Sequence, residues 1–183
     1  FALEIAVQPG RNDVNIFFKD VDGNTTRQTF NFVYLTNYDV VVDAAYTGTD
    51  GELVNGIPTY KTIQAAVDAA GATSTLADET NRTVILVMAG SYEERLVVNT
   101  KNITLIGEDR ENTLIHFYPG SLGAAYEAGG DMDKRCATYI QSGATGFTAE
   151  NISFANDYVY STNDGKSNKS ADAIRVEADR NIH

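Results

Sequence analysis

Carboxylates and tyrosines are numerous in this chain, whereas histidine and cysteine are scarce. Its 183 residues carry 25 acidic and 14 basic groups, two histidines and one cysteine. Asp131, Asp133, Asp157 and Asp164 lie in loop-like stretches. Carboxylates in such places are mostly solvated, and no catalytic role is assigned to them. His116 sits in a strand-like run with no second histidine near it except the terminal His183. That suits a core or surface histidine better than a ligand or a base. Asp20, Asp22 and Asn24 open like a calcium loop, but glycine comes at the fourth position and no glutamate closes the twelfth. A hairpin turn is the better reading. Cys136 stands alone, which rules out an intrachain disulfide or a cysteine-rich metal site in this segment; it reads as a small core residue. No metal and no cofactor is expected. Tyr118, Tyr126, Tyr139, Tyr158 and Tyr160 could present rings to pyranose faces. The plainer alternative is a set of half-buried strand and loop tyrosines.

Charge narrows the partners. A net charge of -11 argues against nucleic acid or an anionic membrane surface. No apolar run approaches the roughly 20 residues of a membrane span. The chain starts at Phe1 and stops at His183 in mid-pattern, as a piece of something longer would.

The elements that must position these groups centre on residues 56–108. Tyr60, Ile63, Ala66, Val67 and Ala70 share one face at helical spacing, so a helix is expected over 60–70, with Pro58 at its start and Gly71 at its stop. Thr83–Met88 is short, apolar and β-branched, as in a strand buried on both sides. A turn at Gly90-Ser91-Tyr92 follows, then strands at Arg95–Val98 and Asn102–Gly107. In the Gly90–Glu94 stretch the tyrosine can bury its ring while its hydroxyl finds a partner, and a direct catalytic role for Glu93 or Glu94 is not expected.

Residues 1–36 behave differently. Leu3, Ile5 and Val7 alternate, Gln8–Asn12 reads as a turn, and Val14, Ile16 and Phe18 alternate again. After a turn at Asp20–Asn24, Thr26, Gln28, Phe30, Phe32 and Tyr34 make a third strand. Pro9-Gly10-Arg11-Asn12 and Asp20-Val21-Asp22-Gly23-Asn24 resemble turns in the last strands of bacterial immunoglobulin-like modules, which implies a partial β-sandwich here. A second domain then runs over 37–183, with Val40–Asp43 as its first strand and polar loops at Tyr46–Asn55 and Ala72–Arg82.

Beyond Val84 strands follow one another with little between them. Asn102-Ile103-Thr104-Leu105, Asn151-Ile152-Ser153-Phe154 and Asn181-Ile182-His183 share a text at offsets of 49 and 30 residues, read as an imperfect repeat in register. Further strands are expected at Thr113–Phe117, Ala137–Ile140 and Ala173–Val176. Short recurring strands without helices suit a parallel β-solenoid, with the helix capping its open end. A β-sandwich competes, but would need hairpin turns that are scarce after Met88.

Read together and in order, "PTYKTIQAAVDAA", "VILVMAGSYEERLVV", "NITLIGEDRENTLI", "FTAENISFAND" and "ADAIRVEADR" resemble the pectin methylesterase family over residues 40–183. The resemblance implies an all-β fold, a right-handed parallel β-helix. It also implies hydrolysis of the methyl esters of polygalacturonate without a metal, by a secreted or cell-surface protein acting as a monomer. Two aspartates, one nucleophile and one acid/base, would do the chemistry, with glutamine amides holding the oxyanion. Neither aspartate matches a position within 1–183; both are expected beyond His183. Ser170 stands where the family has a glutamine of that oxyanion site, and Asp172 stands where a small apolar residue is usual. These two are the candidate substrate-binding positions. If Asp172 faces the coil interior, Arg175 or Lys169 are the near partners it would need. The departures keep two alternatives open: a non-catalytic carbohydrate-binding or adhesin-like β-helix, and a polysaccharide lyase on the same fold.

Overall fold

Strand pairing settles how the chain is folded. The structure, a computed structural model, describes residues 10–34, 37–73, 82–118, 135–158, 171–178 and 180–182. Contacts divide it into two units, residues 1–37 and 38–183.

In the first unit β1 (Gly10–Lys19) and β2 (Thr25–Tyr34) form an antiparallel ribbon from Lys19 opposite Thr25 to Gly10 opposite Tyr34. The turn is locked by Asp20, whose Oδ1 accepts the Asp22 and Asn24 amides at 2.9 and 2.8 Å. The Asn24 side-chain amide donates to its Oδ2 at 2.8 Å. These bonds, Asn24's side chain first, hold the Asp20 carboxyl below its ordinary pKa. Gly23 supplies the left-handed step, φ 91°. The expected turn at Gln8–Asn12 is not seen over Gly10–Asn12: β2 runs on to Tyr34, and these residues pair with it as strand. The expected strand at Leu3–Val7 lies outside the described residues.

In the second unit, β6 (Thr83–Val87), β7 (Gly90–Glu93) and β8 (Leu96–Val98) make one turn of a solenoid. β9 (Ile103–Gly107), β10 (Thr113–Phe117) and β11 (Thr138–Ile140) make the next. β12 (Phe147–Glu150), β13 (Ser153–Asn156) and β14 (Ile174–Val176) make a third, and β15 (Arg180–Ile182) begins another. Each strand pairs in parallel with its counterpart one turn away, giving three sheets. Every pair over residues 84–117 is parallel, which excludes the sandwich.

Sheet 1 extends past β6 through β3 (Val40–Val42), β5 (Ile57–Tyr60) and β4 (Glu52–Val54). β4, inside the expected Tyr46–Asn55 loop, forms an antiparallel hairpin with β5 beyond it. Its turn takes Asn55 and Gly56, φ 53° and 85°, the pair favoured for a two-residue hairpin.

Inward side chains stack in columns: Val40, Ile85, Leu105 and Ala149 in sheet 1, and Tyr92, Ile115 and Phe154 in sheet 2. Val98, Ile140 and Val176 continue this in sheet 3. Most of them are fully buried and form one continuous core. Thr83–Val87 is covered less evenly than expected: Ile85 and Val87 are buried, while Val84 and Leu86, on the outer face, are half-buried.

The helix α1 spans Ile63–Thr73 and packs against β3, β5, β6 and β8. It starts three residues later than the pattern implies, because Pro58 and Tyr60 are held in β5 by pairing with Leu53 and Val42. Thr62 caps it, its hydroxyl accepting the Ala65 amide at 3.2 Å. Gly71 does not stop the helix but lies inside it. A Cβ there would fall 2.6 Å from the Thr100 hydroxyl, so glycine permits the close approach.

The shared Asn-Ile text is not a coil register, and this corrects the repeat. Thr104 lies opposite Thr148, and Thr148 opposite Asn181, so the three asparagines occupy three different coil positions. Asn102 and Asn151 both adopt a left-handed conformation, φ 56° and 59°, at different corners: before β9 and between β12 and β13. What the text encodes is a local corner, since asparagine tolerates positive φ, followed by a buried isoleucine. Asn151 completes its corner by donating its side-chain amide to the Gly107 carbonyl at 2.9 Å.

Candidate functional site

The helix end of the solenoid is built by side chains that substitute for backbone. Both Glu94 oxygens accept amide hydrogens at the start of α1, from Ile63 and Gln64, each at 2.8 Å. This meets two of the donors a helix start leaves unpaired. Burial nevertheless pushes the Glu94 carboxyl up, outweighing these two bonds. Gln64 reaches the free edge of sheet 3: its Oε1 accepts the Val97 amide at 2.7 Å, and its Nε2 donates to the Val97 carbonyl at 3.0 Å. Tyr92 is buried, and its hydroxyl donates to the Met88 carbonyl at 2.8 Å. Burial raises its pKa to about 12. Gly90–Tyr92 is strand rather than the expected turn, because β7 pairs with β10 from Gly90 onward. Tyr92 and Glu94 thus act structurally here, as the motif implied.

Of the two candidate positions, Ser170 lies outside the described residues, as do Lys169, Asp131, Asp133 and Asp164. Asp172 is exposed, so it faces solvent and not the coil interior. Its carbonyl accepts the Ala137 amide at 3.0 Å and the Asn156 side-chain amide at 2.9 Å. Those bonds fix the backbone leading into β14. Arg175 bonds Glu177 at 2.9 Å and lies over the Tyr139 ring, 5.7 Å from its centroid.

The tyrosine set divides. Tyr139 is buried on sheet 3, its hydroxyl donating to Glu177 at 2.7 Å, and is no part of an open stacking surface. Tyr118 and Tyr158 stack on each other, centroids 6.4 Å apart and planes 10° from parallel. Tyr126 and Tyr160 lie outside the described residues. Cys136 is buried.

One cluster was missed by the sequence reading. His116 Nδ1 lies 2.5 Å from Asp157 Oδ2, and its Nε2 lies 2.7 Å from Ser91 Oγ. The three come from β7, β10 and the residue after β13, consecutive strands of sheet 2. Asp157 is thus a partnered carboxylate, not merely a solvated one. The signal was the outward position each residue takes on stacked strands, visible only once the coil register is known.

Comparison with known proteins agrees with this architecture. The pectinesterase family model matches residues 53–183. A probable pectinesterase/pectinesterase inhibitor of Arabidopsis thaliana is 32% identical over 130 residues, covering 70% of this chain and 22% of that protein. Pectinesterase A of Dickeya chrysanthemi is 29% identical over 140 residues, covering 76% of this chain and 34% of that one. The solved carrot pectin methylesterase superposes with TM-score 0.56 at 26% identity, covering 82% of this chain and 40% of that chain. Pectin methylesterase PemA from Erwinia chrysanthemi gives 0.57 at 25% identity, covering 80% and 42%. The chain therefore spans only between about a fifth and two fifths of the relatives it matches.

Proposed function

Since the chain belongs to the pectinesterase family, we propose that the protein containing it hydrolyses the methyl esters of polygalacturonate. The observation that carries this is the run of family motifs, which falls in order on the parallel coils from β5 to β15. In that reading one aspartate attacks the ester carbonyl carbon, and methanol leaves with a proton from the second. Water then cleaves the acyl-aspartate, so the acid appears and the nucleophile is regenerated. Both aspartates belong to sequence after His183. The coils wind right-handedly, the protein works outside the cell as a monomer, and β1–β2 ends an immunoglobulin-like module. Residues 1–183 made alone should release no methanol from methylated pectin above a buffer blank, whereas the full-length protein should. Turnover by the short piece, abolished by changing an aspartate within it, would show the chemistry to be misplaced.

The exposed Asp172, with serine at position 170, favours a second reading, a β-helix that binds the polymer without turning it over. In an active esterase, Ser170→Gln with Asp172→Val should raise kcat by more than the product of the single changes, since groups in contact couple by about 0.5–3 kcal/mol. Independent effects would place the reacting ester away from this strand.

A further inference from the structure

The geometry points to a second hydrolytic centre, on the outer face of sheet 2: we propose that Ser91, His116 and Asp157 form a nucleophilic triad for small carboxylic esters. The chain of contacts is continuous, with Ser91 Oγ 2.7 Å from His116 Nε2 and His116 Nδ1 2.5 Å from Asp157 Oδ2. An ionised carboxylate only accepts hydrogen bonds, so Nδ1 carries the proton it faces. In the neutral ring Nε2 is then the lone-pair nitrogen, and the Ser91 hydroxyl must donate to it. That is the arrangement a general base needs to activate a serine.

The fold holds each member in place. Asp157 donates its backbone amide to the Phe117 carbonyl at 3.0 Å, which extends the β13–β10 pairing one residue and sets its side chain beside His116. The preceding residue is clamped in turn, Asn156 Nδ2 donating to the Arg135 and Asp172 carbonyls at 2.9 Å each. Ser91 is exposed on β7, the edge strand of its sheet. The Gly90 and Glu94 amides are bonded to Asn112 and His116 of β10's side. Strand alternation therefore turns the Ser91 amide toward the free edge, where it can donate to an oxyanion on a carbon bonded to its own Oγ. Glu93, exposed and opposite His116 in the register, adds a second acidic group on this face. Of the stacked Tyr118 and Tyr158 rings, Tyr118 comes two residues after His116 and Tyr158 directly after Asp157, and Tyr118 is exposed. An aromatic pair this near in the chain would suit an ester with a planar or ring-bearing alcohol.

The reaction balances with water alone. Ser91 Oγ bonds to the ester carbonyl carbon while its proton passes to His116 Nε2. Collapse breaks the bond to the alcohol, which leaves with that proton. Water, deprotonated by the same nitrogen, then attacks the acyl-serine; the bond from the acyl carbon to Oγ breaks, Oγ takes that proton back, and the carboxylic acid departs. Asp157 stays ionised and holds the ring.

The test treats the full chain with a fluorophosphonate probe, which exchanges its fluoride for a serine oxygen, and locates the adduct by peptide mass spectrometry. The adduct is expected on Ser91 in the folded protein and not in the denatured one. Hydrolysis of p-nitrophenyl acetate should show the same dependence: Ser91→Ala abolishes it, and Asp157→Asn lowers it by about two to four orders of magnitude. Circular dichroism on each variant checks that the fold is kept. Methanol release from methylated pectin reports the proposed aspartyl site separately, so failure of one site does not read as failure of the other. An unlabelled Ser91 in the folded chain would overturn the proposal and leave a hydrogen-bonded surface ladder only. So would labelling that His116→Gln and Asp157→Asn leave unchanged.

Discussion

β1 and β2 are ten residues each, and Phe17, Phe18 and Phe30 along them stay open to solvent. β8 and β11 are three residues each, and they bury Leu96, Val98 and Ile140 completely. In the ribbon each residue has one paired neighbour strand and, among the described residues, no second layer. In the solenoid β11 has strands on both sides, β8 has β11 on one side and the Gln64 side chain on the other, and their inward side chains join one core shared by all three sheets. Backbone pairing is plentiful in both units. Among the described side chains, only those of the second unit turn it into a buried apolar core, the main favourable term in folding.

That contrast can be broken most forcefully at Leu105. It is fully buried in the column between Ile85 and Ala149, and Leu105→Ala should cost about 3–5 kcal/mol. Chemical denaturation read from the second unit measures it, and a loss below about 1 kcal/mol would mean the columns are not packed as described.

A smaller effect is expected from the solenoid's buried phenol. An unfolded tyrosine ionises near pH 10, whereas burial holds Tyr92 neutral up to about 12. The folded-state pKa is the raised one, so this contribution is complete below pH 10 and is lost as pH rises from 10 toward 12. Thermal melting of the native protein should fall more steeply over that window than melting of Tyr92→Phe. Parallel curves would refute the assignment.

The smallest effect belongs to the ribbon. Phe17 is 64% exposed, and Phe17→Ser should shift stability by no more than about 0.5 kcal/mol. A loss of several times that would mean a covering surface packs on this ring, and the two units would no longer differ in kind.

The solenoid and its helix were legible because their signals are local. Ile63, Ala66, Val67 and Ala70 mark one helical face, and runs such as Ile103–Ile106 are too short and apolar for anything but strand. The α1 boundary was not legible, because what decides it is the pairing of Tyr60 with Val42, a contact between distant residues. The register was misread because Asn102 and Asn151 report their own backbone angle, not their place in a coil. Ser91, His116 and Asp157 were invisible for the same reason. They stand 25 and 41 positions apart, and insertions of unequal length between strands hide the stacking that joins them.

The Gln64 amide has a consequence for how such a protein can change its length. It meets both the amide and the carbonyl of Val97, as one peptide unit of an adjoining strand would. The first turn of sheet 3 is therefore already terminated, and another turn laid on that side would first have to displace the glutamine. Sheet 1 carries no such stop at β6, since it runs on through β3, β5 and β4. Termination on this side is therefore set sheet by sheet, and in sheet 3 one side chain does it.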